Sequence, residues 1–459
     1  MNSATVVRPD ISSRFESLLG TQFVLSDAAE LERYAIDAVN PQVVLRPENA
    51  EQIAAALRIA NQENWIVVPF GGGTRQHVGH APERVDVVLS TERLNQIESY
   101  DPGDLTISLQ AGANLPQIIG TCAGHRQLLP IEALEGTTVG GALSASESGP
   151  LRAGFGAVRD FCIGVSFITG DGLNGRGGGR VVKNVAGYDL MKLMIGSYGS
   201  LGVIVAANFK LFPLPQQTIT CICEFDSFGD AIVLRDWLLK SPLSPIAAEI
   251  LNPPALEYLR DMQARDPDEW APEALGVAQK ARWQMAIRFA GSDRVLARCR
   301  SELSSSMSRE LNGAEETDFW KRLVGFEQRV AARHRNAMIF QLNVPIAESR
   351  AALEAARVAA IDYNFLAAIV GRATVGSFVV AFVTLAIDPP AVTHFAGAAS
   401  EFRSQLSKSS SALVVRCPRE AKEHFDVWGS TPTDIELMQK IKRALDPKGI
   451  LNRGRFVVA

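Results

Sequence analysis

The hydrophobic pattern at the start of the chain alternates between strand-like runs and a helix-like repeat. Val43–Leu45 and Ile66–Pro69 are short apolar runs that predict strands, and between them residues 50–64 place apolar side chains on one helical face. Gly71–Thr74 follows the second strand directly. A strand, a helix, a strand and a glycine loop in this order predict an α/β opening.

The region up to residue 215 continues with apolar strands joined by glycine-rich connections. Between Pro130 and Gly179 the chain is glycine-rich and shows little helical periodicity. Pro213-Leu214-Pro215 indicates a domain boundary. The remaining predictions for this region are a helix over Asp27–Ile36 capped by Ser26, strands over Val85–Leu89, Leu105–Leu109, Phe161–Thr169 and Gly199–Leu211, and helices over residues 112–119 and 187–193.

A second region, up to residue 425, repeats strand and helix patterns in two rounds of similar spacing. These rounds predict an α+β sandwich with internal pseudo-repetition. The predicted domains are an N-terminal helical segment (1–35), a first domain (36–215), a cap or substrate domain (216–430) and a C-terminal tail (431–459) that begins with a helix over Pro432–Ala444. The strands predicted in the second region are Thr218–Phe225, Trp283–Ala290, Ile339–Val344, Phe365–Val370 and Gly376–Ala386, with helices over Gly229–Lys240, Arg294–Ser306 and Glu348–Ala360.

The composition is that of a globular protein and excludes disordered, coiled-coil and collagen-like classes. Of the 459 residues 47% are hydrophobic and 21% are charged. This length predicts two or three domains with a real core. The formal net charge of −4 provides no broad basic surface for nucleic acid or anionic lipid.

The cysteines and the most apolar stretch of the sequence indicate where in the cell the protein is expected. Six cysteines occur without any CxxC pair, which predicts buried small hydrophobes rather than an iron–sulfur cluster or a structural zinc. Reduced thiols of this kind suit the cytoplasm. The N-terminus lacks the apolar core of a signal peptide. The most apolar stretch, residues 373–387, is shorter than the roughly 20 residues of a spanning helix, so no membrane span is expected.

One glycine motif matches the dinucleotide-binding pattern only in its letters. Gly170-Asp171-Gly172-Leu173-Asn174-Gly175 fits G-x-G-x-x-G. That motif requires a helix directly after it, so that helix amides meet the pyrophosphate. Here the chain continues with glycines and arginines that cannot start a helix. Asp171-Gly172 indicates a hairpin turn instead.

Gly71–Thr74 is compatible with two interpretations. Three consecutive glycines allow several backbone N–H groups to converge on one anion, since no Cβ blocks the approach, and Thr74 adds a hydroxyl donor. By itself the same loop could equally be a structural turn.

Further glycine and hydroxyl clusters follow in a fixed order. They are Glu135–Gly141, residues 148–152, Gly154–Asp160, Lys183–Leu190 and residues 196–204. The series resembles the FAD-binding domain of the vanillyl-alcohol-oxidase (PCMH-type) flavoprotein superfamily, and within it the FAD-binding subunit of bacterial glycolate oxidase. The resemblance implies an α+β architecture: a PCMH-type FAD-binding domain of two α/β subdomains, followed by an α+β cap or substrate domain with an antiparallel sheet.

The resemblance also implies FAD, bound without a covalent link, and a role for each matching position. Pro69 and the loop Gly71, Gly72, Gly73 and Thr74 would cradle the pyrophosphate, and Asn452 in the Gly-Ile-Leu-Asn tail would lie near the isoalloxazine ring. The other implied FAD contacts are Thr137, Thr138, Gly140 and Gly141 on the flavin and ribityl side, Ser148 and Gly149 in the phosphate pocket, and Val203 and Ile204 at the adenine end.

Two departures from the family pattern bear on the chemistry. Relatives that tether flavin covalently usually carry a histidine in the first glycine loop, where this chain has Thr74 and Arg75; His77 and His80 come just after it. Relatives acting on 2-hydroxy acids often carry a histidine array that holds a metal. The counterpart here, residues 367–376, contains no histidine, so we expect no metal.

Oxidation of a 2-hydroxy acid needs a cation for the carboxylate and a base for the hydroxyl proton. Arg372, which interrupts an apolar run, and Arg288 are the candidate clamps, because a guanidinium can bind both carboxylate oxygens. Each could equally be a salt-bridged strand arginine. Tyr188 and His334 are weak candidates for the base.

Two functions of different class remain open. The first is an FAD-dependent oxidoreductase subunit acting on a small 2-hydroxy acid such as glycolate. The second is a non-catalytic or electron-relaying partner in a glycolate or D-lactate dehydrogenase complex, and the missing histidines favour this second hypothesis. Either version implies a second flavoprotein subunit and an iron–sulfur subunit as partners. A flavoprotein acting on an unrelated alcohol is a third option.

Overall fold

The computed structural model describes residues 11–180, 188–260, 282–384 and 391–457, and the chain divides into two compact units. Unit 1 comprises the residues up to Glu147, Ala157–Leu214 and the residues from Thr431 onward. Unit 2 comprises Ser148–Gly156 and Pro215–Ser430. The segment Ser148–Gly156 thus belongs to unit 2, although in sequence it interrupts unit 1.

The first sheet of unit 1 has four strands in the order β1-β2-β4-β3. Both β2 and β3 run parallel to β4. The helix between them, α3, begins after Asn49, whose side chain accepts a hydrogen bond from Gln52 N, and its buried face includes Ile53, Leu57 and Ala60. The elements are α1 (Ser13–Leu19), β1 (Val24–Leu25), α2 (Ala28–Glu32), β2 (Val43–Leu45), α3 (Ala50–Glu63), β3 (Val67–Phe70) and β4 (Val87–Ser90). The predicted α/β opening is therefore confirmed.

The predicted helix over Asp27–Ile36 is wrong in its cap and its length. Asp27, not Ser26, caps α2, because its side chain accepts from Ala29 N and Glu30 N. The helix ends at Glu32, and the chain soon reverses through Asp37 and Ala38, whose φ angles are 47° and 62°. Left-handed residues cannot continue an α-helix.

The second sheet of unit 1 has five antiparallel strands in the order β5-β6-β10-β8-β9. A two-stranded pair, β7 with β11, lies beside the predicted boundary. The elements are β5 (Ile97–Asp101), β6 (Thr106–Gln110), α4 (Leu115–Gly124), β7 (Gln127–Leu128), α5 (Val139–Ser144), α6 (Arg152–Phe155, in unit 2), α7 (Val158–Phe161), β8 (Cys162–Ile168), β9 (Asn174–Gly178), α8 (Leu190–Met194), β10 (Val203–Lys210) and β11 (Phe212–Pro213). The Lys183–Gly187 part of the sequence motif lies outside the described residues.

The hairpin interpretation of Asp171-Gly172 is confirmed. Strands β8 and β9 pair antiparallel around it, and Gly172 has a φ of 80°. A dinucleotide motif is therefore absent at this turn. Between Pro130 and Gly179, where the sequence shows little helical periodicity, three short helices form, α5, α6 and α7. These helices have only four to six residues, too short to show a helical period in the sequence.

Unit 2 is built on one eight-stranded antiparallel sheet in the order β15-β12-β14-β13-β17-β18-β16-β19. Its strands are β12 (Gln217–Phe225), β13 (Ala247–Leu251), β14 (Trp283–Gly291), β15 (Met307–Leu311), β16 (Met338–Asn343), β17 (Leu366–Arg372), β18 (Ser377–Val383) and β19 (Ser411–Arg416). The helices after α8 are α9 (Phe228–Lys240), α10 (Pro253–Leu259), α11 (Asp293–Leu303), α12 (Gly313–Val324), α13 (Phe326–Arg333), α14 (Ser349–Asp362), α15 (Val392–Ser404) and, in unit 1, α16 (Ile435–Leu445).

The sheet of unit 2 consists of two halves with the same topology. In the described residues each half contains four strands and two helices in the order β-α-β-β-α-β, with α9 and α11 in the first half and α14 and α15 in the second, and the first half carries α10 as an additional helix between β13 and β14. The halves join where Glu249–Leu251 of β13 pairs with Val370–Arg372 of β17. The predicted pseudo-repetition is confirmed in the topology, and this β13–β17 junction is the seam between the halves.

The cysteines of unit 2 pack as hydrophobic residues. Cys221 and Cys223 on β12 and Cys299 on α11 lie in the core between the sheet and its helices. Burial raises the pKa of the Cys221 and Cys223 thiols to about 12, so both are protonated at neutral pH. None of the six cysteines, all of which lie in the described residues, forms a disulfide. Over the described ranges, no helix is both long enough and apolar enough to cross a membrane.

Candidate functional site

The first glycine loop of unit 1 presents main-chain donors without acceptors. Gly71–Thr74 follows β3, and none of its four amides donates to an acceptor in the described part of the chain. Gly73 has a φ of 74°, a left-handed conformation that turns successive N–H groups toward one side. Such a concave run of amides is a binding site for an anion.

The glycines of this loop are also required for close packing against the second glycine cluster. A Cβ on Gly71 would lie 2.3 Å from Thr138 Oγ1, and a Cβ on Gly72 would lie 1.7 Å from the carbonyl oxygen of Gly136. Both distances are below any real contact. The Oγ1 atoms of Thr74 and Thr137 lie 3.1 Å apart. The two clusters that the sequence shows 63 residues apart therefore form one wall.

Within the second cluster, the hydroxyl and glycine residues have different tasks. Thr138 caps α5 by accepting a hydrogen bond from Gly141 N at 3.2 Å. Gly140 donates its amide to Ala111 O at 2.7 Å, and a Cβ there would touch the Cβ of Ala111 at 2.8 Å. Gly140 thus brings the cluster against β6, with its own N–H already used. Thr137 is buried.

The third cluster and the tail complete this site in unit 1. A Cβ on Gly199 would lie 3.1 Å from Pro69 Cγ and 3.3 Å from Asn452 Nδ2, so the three residues are neighbours. Val203 and Ile204 pair with β8 on one side, whereas β6 pairs with β10 only from Ala206 onward. One strand edge at Val203–Ile204 therefore extends beyond β6.

Asn452 is held by several bonds within unit 1. Its main chain donates to Val67 O at 2.9 Å, and its side chain donates to Tyr198 O at 2.6 Å. Both Asn452 and Tyr198 have positive φ, 49° and 50°. Non-glycine residues in this region of φ/ψ space cluster at ligand sites, where surrounding contacts hold them.

A buried ion pair fixes the turn that carries Asn452. Lys442 on α16 pairs with Asp446 and also donates to Ser200 O at 2.8 Å and to Leu451 O at 2.9 Å. Asp446 accepts from the amides of Ile450 and Leu451. Burial is the largest cause of a lowered pKa for the Lys442 ammonium, and the Asp446 charge opposes it.

Sequence reasoning missed most side chains that hold the loops. Arg75 makes a two-pronged ion pair with the buried Glu147, with one pair of atoms 3.0 Å apart. Gln76 and Arg455 bond to each other and to the loop backbone. The Arg75–Glu147 and Gln76–Arg455 contacts join residues 72 or more positions apart, so no local pattern signals them. The Lys442–Asp446 spacing of four, by contrast, is a visible helical ion-pair signal.

In unit 2, Arg372 lies at the seam between the two halves of the sheet. Its Nε donates to Gly149 O at 3.1 Å and its Nη2 donates to Ser148 O. Glu249, directly opposite on β13 and 1% exposed, lies 3.8 Å from Arg372 Nε. Nη1 makes no hydrogen bond to any described residue. One nitrogen of the guanidinium is therefore open to a ligand, whereas bidentate binding would need two.

Ser148 and Gly149 thus meet Arg372 through their carbonyl oxygens. The Oγ of Ser148 is buried and has no partner among the described residues. Because a buried hydroxyl without a partner is costly, it marks a position where a ligand group fits.

Arg288 has a different environment on the same face of the sheet. It pairs with Glu316 of α12 at 3.0 Å and contacts Thr218 Oγ1 at 3.4 Å. Glu316 also accepts from Thr218 and Thr220, which closes the network. The two candidate arginines are therefore not equivalent, because the charge of Arg288 has a direct carboxylate partner.

The two candidate bases, Tyr188 and His334, differ in their exposure to solvent. Tyr188 is 93% exposed. His334 follows α13 and its ring stands edge-on to Tyr258 at 5.9 Å. Burial first, and the Arg333 charge second, lower the pKa of His334, so it is neutral at pH 7.

The donor set fits an FAD diphosphate and offers little to a metal ion. Main-chain amides without acceptors, flanked by threonine hydroxyls and free of Cβ atoms, match phosphate oxygens. Within the described residues, no group of three or more His, Cys, Asp or Glu side chains could hold a metal.

Comparison with known proteins identifies both units. A family model described as an FAD binding domain matches residues 41–174, and a model described as the C-terminal domain of FAD linked oxidases matches residues 214–406 and 422–456. The expectation of FAD and the α+β fold class are confirmed by these matches and by the structural likeness below.

Three proteins show how the similarity is distributed. The chain is 24% identical to glycolate oxidase subunit GlcD of Bacillus subtilis, over 91% of this chain and 89% of that protein. It is 39% identical over 147 residues to glycolate oxidase subunit GlcE of Escherichia coli, covering 31% of this chain and 42% of GlcE. The structure of p-cresol methylhydroxylase with substrate bound superposes with a TM-score of 0.75 at 17% identity, covering 97% and 96% of the two chains.

Proposed function

Because this chain belongs to the FAD-linked oxidases, we propose that it is a glycolate-oxidase-type subunit that oxidises a small 2-hydroxy acid. FAD, when bound, supplies the hydride acceptor for the α-hydrogen of the substrate. The similarity to GlcD over both units supports glycolate or a related D-2-hydroxy acid as the substrate class.

The observation that carries the proposal is the buried Arg372 with one open donor group. A substrate carboxylate needs a cation in a water-poor place, and Nη1 offers a charged donor while Nε and Nη2 fix the guanidinium plane. The orphaned Ser148 hydroxyl lies on the segment that Arg372 holds and can orient a substrate or cofactor oxygen. Arg288 is the second candidate for the clamp. Tyr188 is the remaining candidate for the base.

For the cofactor, the proposal keeps the residues that the family pattern implies. Gly71, Gly72, Gly73 and Thr74 bind the diphosphate through amides, and Val203 and Ile204 meet the adenine end through the strand edge. Thr137, Thr138, Gly140, Gly141, Pro69, Ser148, Gly149 and Asn452 line or support the site. FAD is bound without a covalent link, so acid precipitation should leave the yellow colour in the supernatant and not in the pellet.

The test is anaerobic reduction of the purified, FAD-loaded protein by substrate. Glycolate or D-lactate should bleach the flavin absorbance at about 450 nm. Absence of bleaching, both for the chain alone and for the chain with its partner subunits, would refute the substrate class.

A second function is favoured by a specific observation. Two of the three Arg372 donor groups are committed to Ser148 and Gly149, Glu249 compensates the charge, and no histidine occurs in residues 367–376. These features suit an FAD-binding partner subunit that relays electrons or supports assembly. Co-purification with a second flavoprotein and an iron–sulfur subunit, without bleaching of this chain's own flavin, would favour it. The free cysteines suit a cytoplasmic complex, which cell fractionation tests.

A further inference from the structure

We propose that Arg455 is a positioning residue for FAD: it clamps the first glycine loop to the C-terminal turn, defined as residues 446–455. FAD binding and docking of the C-terminal turn would then be one coupled event. This inference rests on the FAD site of unit 1 and not on the identity of the substrate.

The guanidinium of Arg455 is buried and surrounded by acceptors from two separate segments. Nη2 donates to the carbonyl oxygens of Gln76 and Val78, the second at 3.0 Å. Nη1 donates to Asn452 Oδ1 at 3.0 Å and to Gln76 Oε1 at 3.3 Å. The main chain of Arg455 in turn accepts from His80 N at 3.1 Å. One side chain thus joins the C-terminal turn to the chain directly after the glycine loop.

Gln76 transmits this contact to the loop itself. Its Nε2 donates to Pro69 O at 3.0 Å, so a single side chain bridges Pro69, two residues before the loop, and Gln76, two residues after it. Because Arg455 can only donate, it fixes the Oε1 atom of Gln76 toward itself and leaves Nε2 for Pro69. The amide orientation that closes the loop is therefore set by Arg455.

The same guanidinium also orders the other wall of the site. Asn452 receives a bond from Arg455 on Oδ1, which directs its Nδ2 to Tyr198 O. Asn452 and Tyr198 both hold positive φ angles, which require support from outside. Removing the guanidinium would therefore release two strained residues as well as the loop.

The chemistry of the site requires arginine rather than lysine. Four acceptor atoms lie around one planar group, and a guanidinium presents several donors in a fixed plane whereas an ammonium is a point charge. The burial carries a cost, since it lowers the pKa of Arg455 to about 10 while the Asp37 charge opposes this shift. Nη1 and Nη2 engage these four acceptors, and a buried charge bonded in this way orders the site around it.

Coupling follows from thermodynamic linkage. If the loop binds FAD only when Arg455 is docked, FAD must in turn strengthen the docking of the C-terminal turn by the same factor. The proposal is thus testable from the tail as well as from the flavin.

The experiment measures FAD affinity and tail protection in the full-length protein. Flavin is removed, and the dissociation constant of FAD is measured by fluorescence quenching for wild type, Arg455→Lys, Arg455→Met and Gln76→Ala. Arg453→Met is the matched control, because in the described part of the chain Arg453 bonds to Gly449, Lys448 and Asn64 and not to the glycine loop. Hydrogen exchange of the amides of residues 446–457 is followed with and without FAD.

We expect the dissociation constant of FAD to rise at least tenfold in Arg455→Lys and Arg455→Met, and to change less than threefold in Arg453→Met. FAD should slow exchange in residues 446–457 of wild type and Arg453→Met, and this protection should be lost in both Arg455 variants. Equal FAD affinities for Arg455→Met and Arg453→Met would overturn the proposal.

Gln76→Ala keeps the proposal falsifiable if the Arg455 variants fail to fold. It removes the loop bridge but leaves Arg455 in place, so we expect weaker FAD binding and an intact melting temperature of the apoprotein. If Gln76→Ala binds FAD as tightly as wild type, the relay through Gln76 is wrong. Because every readout is flavin binding or tail exchange, failure here is distinguishable from failure of glycolate to reduce the flavin.

Discussion

The two units contrast in where they keep their unused donors. In unit 1 the open groups are the main-chain amides of Gly71–Thr74, while the charged side chains around them, Arg75 and Arg455, are occupied by protein acceptors. In unit 2 the two candidate arginines lie on one face of the sheet, and each faces a carboxylate: Arg288 pairs with Glu316, and Arg372 lies 3.8 Å from Glu249.

This difference separates two design solutions for ligand binding. An anion site made of amides needs a fixed backbone, so the surrounding side chains act as braces. A site made of side chains needs one hydrogen-bond donor that contacts within the protein do not use. In unit 2 that donor is Nη1 of Arg372. The first arrangement tolerates little change in backbone, and the second tolerates little change in pairing.

Gly72→Ala is the strongest test of the backbone half of the comparison. A Cβ 1.7 Å from Gly136 O forces the two loops apart and misaligns the amides. We expect FAD binding to weaken at least about 1,000-fold, or about 4 kcal/mol, measured by flavin fluorescence on the apoprotein.

Gly120→Ala is the control for this change, because it lies inside α4 with no atom within 4 Å of its added Cβ. An alanine there should leave FAD affinity unchanged and raise stability slightly. If Gly72→Ala binds FAD within threefold of Gly120→Ala, the close packing of the loops is not what positions the amides.

The backbone half of the site is also the half that the sequence could predict. The glycines, the threonines and the Gly-Ile-Leu-Asn tail can be recognised in the sequence, because the backbone conformation requires these residue types. The predicted α/β opening and the hairpin at Asp171-Gly172 likewise follow from local patterns. The side-chain contacts Arg75–Glu147 and Arg455–Gln76, which hold the loop, cannot be predicted from the sequence, because each joins two segments that are distant along the chain. The short helices α5 to α7 are not predicted, because four to six residues are too few to show a helical period.

Lys442→Met tests whether buried charge in unit 1 serves as a brace. The substitution leaves the Asp446 carboxylate buried with only the Ile450 and Leu451 amides, so we expect a loss of about 3–5 kcal/mol in the free energy of unfolding. Urea titration measures it. Lys440→Met, on the exposed side of the same helix, should cost less than about 0.5 kcal/mol. Similar losses for the two variants would show that the ion pair contributes nothing to holding the C-terminal turn.

Arg372→Lys tests the side-chain donor of unit 2, the other side of the comparison. A lysine cannot keep the Ser148 and Gly149 carbonyls and also offer a donor outward. We expect kcat/KM for flavin reduction by glycolate to fall about 30- to 150-fold, the value of a charged hydrogen bond of about 2–3 kcal/mol. Stopped-flow absorbance gives the rate.

Arg288→Lys is the comparison for that measurement, because Arg288 lies on the same face but has Glu316 as a direct partner. A larger loss for Arg288→Lys than for Arg372→Lys would transfer the clamp to Arg288. The sequence could not rank the two arginines, since both interrupt apolar strands. Only their carboxylate partners, Glu249 from the adjacent strand and Glu316 from α12, distinguish them.

The smallest expected effect concerns pH and unit 2. Burial lowers the pKa of His334, so between its folded-state value and the unfolded value of about 6.5 the unfolded chain binds more protons. Stability must therefore fall as the pH drops below about 6.5, by at most about 1.4 kcal/mol per pH unit. His334→Gln should remove this slope, whereas the exposed His424→Gln should retain it. Urea midpoints from pH 5 to 8, followed by tryptophan fluorescence, report on the unit because Trp237, Trp283, Trp320 and Trp428 all belong to it. An unchanged slope in His334→Gln would show that protonation of His334 is not the cause of the acid sensitivity of unit 2.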